Sequence, residues 1–257
     1  MSHRENAVQL ADYQDRFHTI RLSRGDSGVL TLTLHTRGGP ALWGTSLRSL
    51  HAELGQAFAA IAADRANKVV ILTGTGDSFI ADRDPDERQH EPSLAAMWPR
   101  IFEEGTALLE NLLAVPVPVI AAVNGPALIH AEIAVLADIV LAASHAEFAD
   151  LAHIRGGAVP GDGVHSVWPM LLGPNRGRYF LLTGERIGAE EARRLGVVAE
   201  VLAPDALLPR AEELAAQLAR LPEPVLRHTR AVLTRHIRRR VSDELQWGLG
   251  MEAMAML

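Results

Sequence analysis

The 257-residue chain has no cysteine. That excludes disulfides, thiol nucleophiles, iron–sulfur clusters and Cys-ligated zinc. It has a single lysine, Lys68, so Schiff-base chemistry would have to use that residue. Positive charge is in deficit, with 25 Lys+Arg against 31 Asp+Glu and a net charge of −6. A nucleic-acid or anionic-membrane partner would favour a basic face, and neither is expected here. Aromatic residues are scarce at 5%. Long apolar runs are missing too. The most apolar stretch, 129–143, is broken by His130, Glu132 and Asp138 and is too short and too charged to span a bilayer. Residues 1–17 are polar and mixed in charge, without the apolar run of a signal peptide, so the expected location is the cytoplasm. What is present suits a globular chain with its own core, at 48% apolar and 22% charged residues.

Periodicity outlines the elements. Residues 18–35 alternate apolar and polar on both sides of a Gly-Asp-Ser turn, the pattern of a β-hairpin. Residues 44–63 and 100–114 carry helical spacing. Residues 69–72, 117–123, 139–141 and 197–201 read as buried strands. Helices are expected near 163–172, 174–182, 188–195, 205–220, 223–238 and 242–255. Strands alternating with helices imply an α/β fold with parallel pairing. The division expected is a core over 1–203 and a helical appendage over 204–257.

Several motifs have bland explanations. Gly74-Thr75-Gly76-Asp77-Ser78-Phe79 follows a strand, but Phe79 stands where a dinucleotide loop needs its third glycine. Gly25-Asp26-Ser27-Gly28 is accounted for by a β-turn. No Gly-x-Ser-x-Gly elbow occurs. Eleven histidines are present, but none forms a His-Glu-x-x-His pair, and the spacing suggests no metal. The segment 147–163 is more informative. It is rich in Gly and Pro and carries His153 and, nine residues on, Asp162. A chain that doubles back there could bring the two together. An aspartate on one imidazole nitrogen would then leave the other free as a base.

Residues 69–82 (VVILTGTGDSFIAD), 117–143 (VPVIAAVNGPALIHAEIAVLADIVLAA), 148–163 (FADLAHIRGGAVPGDG) and 182–187 (LTGERI) together resemble the crotonase, or enoyl-CoA hydratase/isomerase, superfamily. The resemblance runs from about residue 18 to residue 255. It implies an α/β spiral of repeated ββα units with C-terminal helices, assembled as a trimer or a pair of trimers through the 204–257 region. Acyl-CoA hydration or isomerisation is one activity it implies.

The departures point elsewhere. The Ala-Gly-Ala-Asp of crotonases, whose backbone N–H groups bind a thioester oxygen, reads Ala81-Asp82-Arg83-Asp84. Gly-Gly-Gly followed by Cys-Glu becomes Leu128-Ile129-His130-Ala131-Glu132, and a hydratase Pro-Glu becomes Ala152-His153. The Asn-Ala-Leu-Asn region reads Pro40-Ala41-Leu42-Trp43. These replacements are similar to one branch of the superfamily, the β-diketone hydrolases of 6-oxocamphor hydrolase type. That branch uses no CoA and cleaves a carbon–carbon bond between two ketones.

The resemblance implies roles for five residues: His153 as base, Asp162 as its orienter, His130 and the Trp43 indole N–H as donors to oxygen anions, and Glu252 as the charge partner of His130. Phe79 and Leu128, with Trp98 and Trp168, are candidates to line an apolar substrate pocket. Glu132 matches a hydratase carboxylate but is left outside the catalytic set. The implied partner is a small diketone. No metal or cofactor is implied, because such a substrate is its own electron sink.

Overall fold

A computed structural model describes residues 7–87 and 93–256. The expected hairpin forms from β1 (Ile20–Arg24) and β2 (Val29–Leu34), paired antiparallel. Four more strands then join in parallel, each at the edge left by its predecessor: β4 (Val69–Gly74), β6 (Val119–Val123), β7 (Ile139–Ala143) and β10 (Glu200–Leu202). Every residue of β4 and β6 is buried, as expected of parallel strands covered on both faces.

A second, shorter layer follows the first turn by turn. It begins with β3 (Leu42–Trp43) paired to β5 (Asp82–Arg83). It continues through single parallel bridges joining Ile80 to Ala127 and Ala127 to Phe148. It ends with β8 (Glu147–Phe148) paired to β9 (Ile187–Gly188). One long and one short strand per turn make the spiral of the ββα repeat. Trp43 lies in this short layer, and His130, Asp150 and His153 lie within a few residues of it.

Helices cover both faces of the long sheet. α1 (Leu50–Ala63) packs on α2 (Leu94–Ala114) over one face. Gly55 lets the two axes approach, since a Cβ there would press on the Ala107–Leu108 backbone. The smaller helices are α3 (Glu132–Val135), α4 (Val164–Leu172), α5 (Pro174–Thr183) and α6 (Ala189–Arg194).

The C-terminal helices follow the sheet, as expected. α7 (Pro204–Ala219) is the part of the appendage that packs on the domain itself. Leu207, Ala211, Ala215 and Ala219 pack on Val69, Ile71, Ile120, Ala122, Leu141 and Ala143, so this helix covers the other face of the sheet. The two helices expected over 223–238 and 242–255 are one, α8 (Glu223–Met256). No Gly or Pro interrupts residues 239–241, and Val241 is buried alongside Leu245 and Leu249. The fourth strand begins at Glu200, because 197–198 packs as loop against Ala192.

The glycine-rich 74–79 segment is a crossing rather than a phosphate cradle. Asn124 accepts from the Gly74 N–H and donates to the carbonyls of Gly76 and Ser78. A Cβ on Gly74 would overlap the Ser78 carbonyl and one on Gly125 that of Asp77. The glycines therefore let two loops touch.

Arg230 ties α8 to the sheet. Its buried guanidinium donates to the carbonyls of Leu113 and Val115 and to Asp138, which also accepts from the Val119 N–H. Removing the cation strands those acceptors. Arg230→Ala is expected to cost about 3 kcal/mol, read as a lower urea midpoint with an unchanged slope.

Candidate active site

Two buried imidazoles converge on one carboxylate. Asp162 Oδ2 lies 2.8 Å from His130 Nδ1 and 3.3 Å from His153 Nε2. The rings meet edge to face, with centroids 5.5 Å apart. Each histidine has a second carboxylate. Asp150 Oδ1 is 2.7 Å from His153 Nδ1, and Glu132 Oε1 is 2.9 Å from His130 Nδ1.

Local backbone explains the convergence. His130 sits between the short layer and α3 with φ of +52°. For a non-glycine residue this left-handed conformation costs about 1–2 kcal/mol. It turns the imidazole toward Asp162 and Trp43. His153 caps the 3₁₀ turn Ile154–Gly156, three residues after Asp150. Asp162 lies between Gly161 and Gly163. Gly161 touches the backbone of α8 at Gly248, where neither residue has room for a Cβ, and Gly163 opens α4 with φ of +106°. Glu252 follows Gly248 by one helical turn and is thereby brought to the same cluster. It is buried, and its Oε2 has no hydrogen-bond partner.

Electrostatics follow from this crowding. Burial disfavours the His130 imidazolium, but the charges of Asp162 and Glu132 outweigh it and raise the pKa to about 9. His153 is likewise raised well above the ordinary histidine value, the charge of Asp162 and the bond to Asp150 overcoming desolvation. Burial would raise Asp162, yet the two histidines hold it well below the usual carboxylate range. Desolvation raises Glu132 despite His130 beside it. Desolvation and the charge of Asp162 push Glu252 up to about 7.

Trp43 is buried and stacks on His130, with centroids 3.8 Å apart and planes 28° from parallel. An imidazolium over an indole gains about 0.5–2 kcal/mol. The contact is made by the indole face, whereas the expectation named its N–H.

Other expectations need correction. The orienter of His153 at Nδ1 is Asp150, and Asp162 is instead shared between the two histidines. The carboxylates bonded to His130 are Glu132 and Asp162, and Glu252 interacts with it through charge, the kind of partnership expected of it. Phe79 and Trp168 are buried in the core, Trp168 against Phe180. Trp98 packs with Met97 and Ile101. Leu128 does line a cavity, one of about 330 Å³ with Ala81, Asp82, Arg83, Ile129 and Leu151 on its wall. That cavity borders the backbone leading into both histidines. A larger one, about 890 Å³, opens beside Leu42, Met97 and Arg100 and contains none of the clustered acids and imidazoles.

Sequence reasoning missed Asp150 and set Glu132 aside. The signal for Asp150 was its i, i+3 spacing to His153 next to a strand end. Spacing also suggested no metal set. The fold nevertheless brings donor atoms of His130, His153 and Asp162 within 4.8 Å of one another, a combination that suits divalent transition metals. Asp162 Oδ2 already stands at hydrogen-bonding distance from both nitrogens, so an ion would have to open both contacts.

The two backbone donors before His130 are engaged. The N–H groups of Leu128 and Ile129 both donate to the Ile80 carbonyl, at 2.9 and 3.2 Å. Side chains of the cluster, His130 first among them, are then placed to stabilise an anion.

Comparison with known proteins places this geometry in context. Residues 25–256 match the family Enoyl-CoA hydratase/isomerase. The chain is 37% identical to a crotonyl-CoA hydratase of Syntrophomonas wolfei over 65% of its own length and 64% of that protein's. It is 31% identical to the 1,2-epoxyphenylacetyl-CoA isomerase of Escherichia coli over 78% and 76%. Among solved structures, it is similar to a β-diketone hydrolase from the cyanobacterium Anabaena sp. PCC 7120 bound to (S)-3-oxocyclohexyl acetic acid. That likeness has a TM-score of 0.91 and 40% identity, covering 95% of this chain and 96% of that one. An enoyl-CoA hydratase/isomerase from Mycobacterium paratuberculosis matches with TM-score 0.83 and 28% identity, over 93% and 94%. Among the described residues, no helix is long and apolar enough to cross a membrane. A match that takes in nearly the whole ββα spiral and the helices covering it makes this chain a member of the enoyl-CoA hydratase/isomerase, or crotonase, superfamily.

Proposed function

We propose that the protein is a β-diketone hydrolase, cleaving a carbon–carbon bond of a cyclic 1,3-diketone with water and without CoA. The observation that carries this reading is the shared carboxylate between two buried imidazoles, beside backbone donors already consumed by Ile80. The similarity to the Anabaena hydrolase supports it. The compound bound there is a keto acid, the type of product left when water opens a bicyclic 1,3-diketone.

The chemistry needs a base for water and an acid for the leaving enolate. His153, once it has lost its proton, takes a proton from water at Nε2, while Asp150 holds its Nδ1. The resulting hydroxide adds to one carbonyl carbon, and His130 as imidazolium stabilises the oxygen anion that forms. Collapse of the adduct breaks the bond to the central carbon. Its electron pair becomes the enolate of the second ketone, which His130 protonates. A carboxylic acid and a ketone result, joined through the ring, so the sum is diketone plus water. Asp162 pairs with both imidazoles and passes charge compensation from one to the other as protons move.

A CoA-dependent reading rests on the named hydratase and isomerase relatives. One parallel assay separates the two. Incubation with a symmetric bicyclic 1,3-diketone is expected to release a keto acid, and crotonyl-CoA is expected to remain unchanged. Hydration of the thioester in place of diketone cleavage would overturn the proposal. His153→Ala is expected to lower kcat by about 10²–10⁴, the range for a positioned base. Asp150→Asn is expected to lose about tenfold or more through misorientation of the same ring.

The pH profile has a calculable sign. Activity needs His153 neutral, so the rate rises with pH through its elevated pKa. It also needs His130 protonated, so the rate falls above about 9. A bell with its maximum on the alkaline side of neutrality is expected for kcat/KM. Glu252 ionises at about 7, and its charge then favours both imidazoliums. Glu252→Gln is expected to move both limbs to lower pH. A profile unchanged in that variant would remove Glu252 from the site.

A further inference from the structure

The hydrolase reading leaves one half-buried ionic chain unexplained. It runs from α2 to the back of Trp43. Arg100 donates from Nη1 to both oxygens of Glu104, at 3.0 and 2.8 Å, and from Nη2 to the carbonyl of Thr45 at 2.7 Å. Glu104 Oε2 is 3.0 Å from Nδ1 of His51, in the first turn of α1. The His51 ring meets the Trp43 ring edge to face, with centroids 5.7 Å apart and planes at 88°. The opposite partner of that indole is His130.

His51 is 6% exposed and has little freedom. Gly105 of α2 lies against its Nε2, where a Cβ would sit at 3.5 Å. Burial opposes the ionisation of Glu104, but hydrogen bonds from His51 and Arg100 outweigh it and hold its carboxyl below the ordinary value. An apolar pair of equal volume would join α1 to α2 at no loss of stability. The ionic chain adds direction: it fixes the ring of His51, and through Thr45 it also fixes the loop two residues beyond Trp43.

We propose that His51 and Glu104 are positioning residues, which together with Arg100 hold the Trp43 indole against His130 and so keep that imidazole aligned on Asp162 for proton transfer. This deepens the hydrolase reading and rests on it for its kinetic consequence alone. Neither His51 nor Glu104 is bonded to His130, His153 or Asp162, so both act through Trp43.

The test uses the full-length protein with ring-labelled histidine. His130 is titrated by NMR without substrate, its resonance assigned from His130→Asn, and kcat and KM are measured on the diketone. The groups facing His130 are Glu132 and Asp162 in direct contact, His153 at its edge, and Asp150 and Glu252 through their charge. Those facing His51 are Glu104 and, behind it, Arg100.

In His51→Ala and Glu104→Ala the indole is released. The pKa of His130 is expected to fall by half a unit or more, and kcat to fall about tenfold to hundredfold, as for a small misplacement, with KM little changed. Glu104→Gln keeps an acceptor for His51 and recovers most of the loss seen in Glu104→Ala. Should the alanine variants not fold, His51→Phe keeps the ring and removes its nitrogens, and is expected to show a smaller shift in the same direction. Folded variants with an unmoved His130 titration and unchanged kcat overturn the proposal, as does a lowered Tm with both unmoved. A shifted titration in a protein that leaves the diketone intact upholds the positioning role and rejects the hydrolase reading instead.

Discussion

The placement of one carboxylate between two imidazoles governs this site. Asp162 is buried, and alone it would be costly to ionise. Two imidazoliums make its charge acceptable, and it makes theirs acceptable in return. Each further acid around the pair then has a distinct consequence. Asp150 bonds Nδ1 of His153 at 2.7 Å, and the longer 3.3 Å contact of Asp162 with Nε2 makes that second nitrogen the one to exchange protons. Glu132 doubles the negative charge on His130 and favours its protonated form. Glu252 brings charge without a hydrogen bond and responds to pH near 7. A pocket with four acids and two bases cannot keep every acid ionised at once, which is why burial leaves two of them with raised pKa values.

The scaffold meets this demand by bringing distant segments to one place. The short layer of the spiral advances one step per turn, and the loops leaving it stack on one another. Trp43 comes from the first step, His130 from the third, beyond the 80–83 step, and the Asp150–His153 pair from the fourth. Asp162 and Glu252 enter from another direction, at the point where two glycines let the 160s loop lie on α8. The long helix therefore takes part in the site even though its sequence reads as an exposed, highly charged rod. Its anchoring through Arg230 at one end and its contact at Gly248 toward the other set where Glu252 can stand.

Much of this was legible in the sequence, and what was not has definite physical reasons. The hairpin and the buried parallel strands follow from periodicity, which is a local property. His130, His153 and Trp43 were found through departures from the superfamily pattern. Which carboxylate bonds which nitrogen depends on rotamers and loop paths that no spacing encodes. Asp162 was assigned to one histidine because a linear reading offers one neighbour, whereas a folded loop offers two. Glu252 lies ninety residues beyond Asp162, and only the close approach of Gly161 and Gly248 brings the two together. The two C-terminal helices expected from sequence are one, because the charged run Arg238–Arg240 between them holds nothing that stops a helix. Phe79 reads equally as pocket wall or core in the sequence, and only its packed neighbours decide for the core.

The conformation of His130 is where the backbone and the chemistry of the site meet. Crotonases carry glycine in this stretch, and the chain here retains a positive φ while bearing a full side chain. A left-handed histidine persists where its side chain recovers the backbone cost, and His130 does so through two carboxylates and the stack on Trp43. The N–H groups before it, at Leu128 and Ile129, close on the Ile80 carbonyl. A backbone donor is neutral and cannot give up its proton, whereas an imidazolium can bind an oxygen anion and then protonate carbon. Hydration of an enoyl thioester likewise ends with a proton delivered to carbon, but in the superfamily pattern backbone N–H groups hold the oxygen. In the proposed reaction, release of a ketone enolate would need both in sequence and from nearly the same place, and His130 held against Asp162 is the group that would supply them.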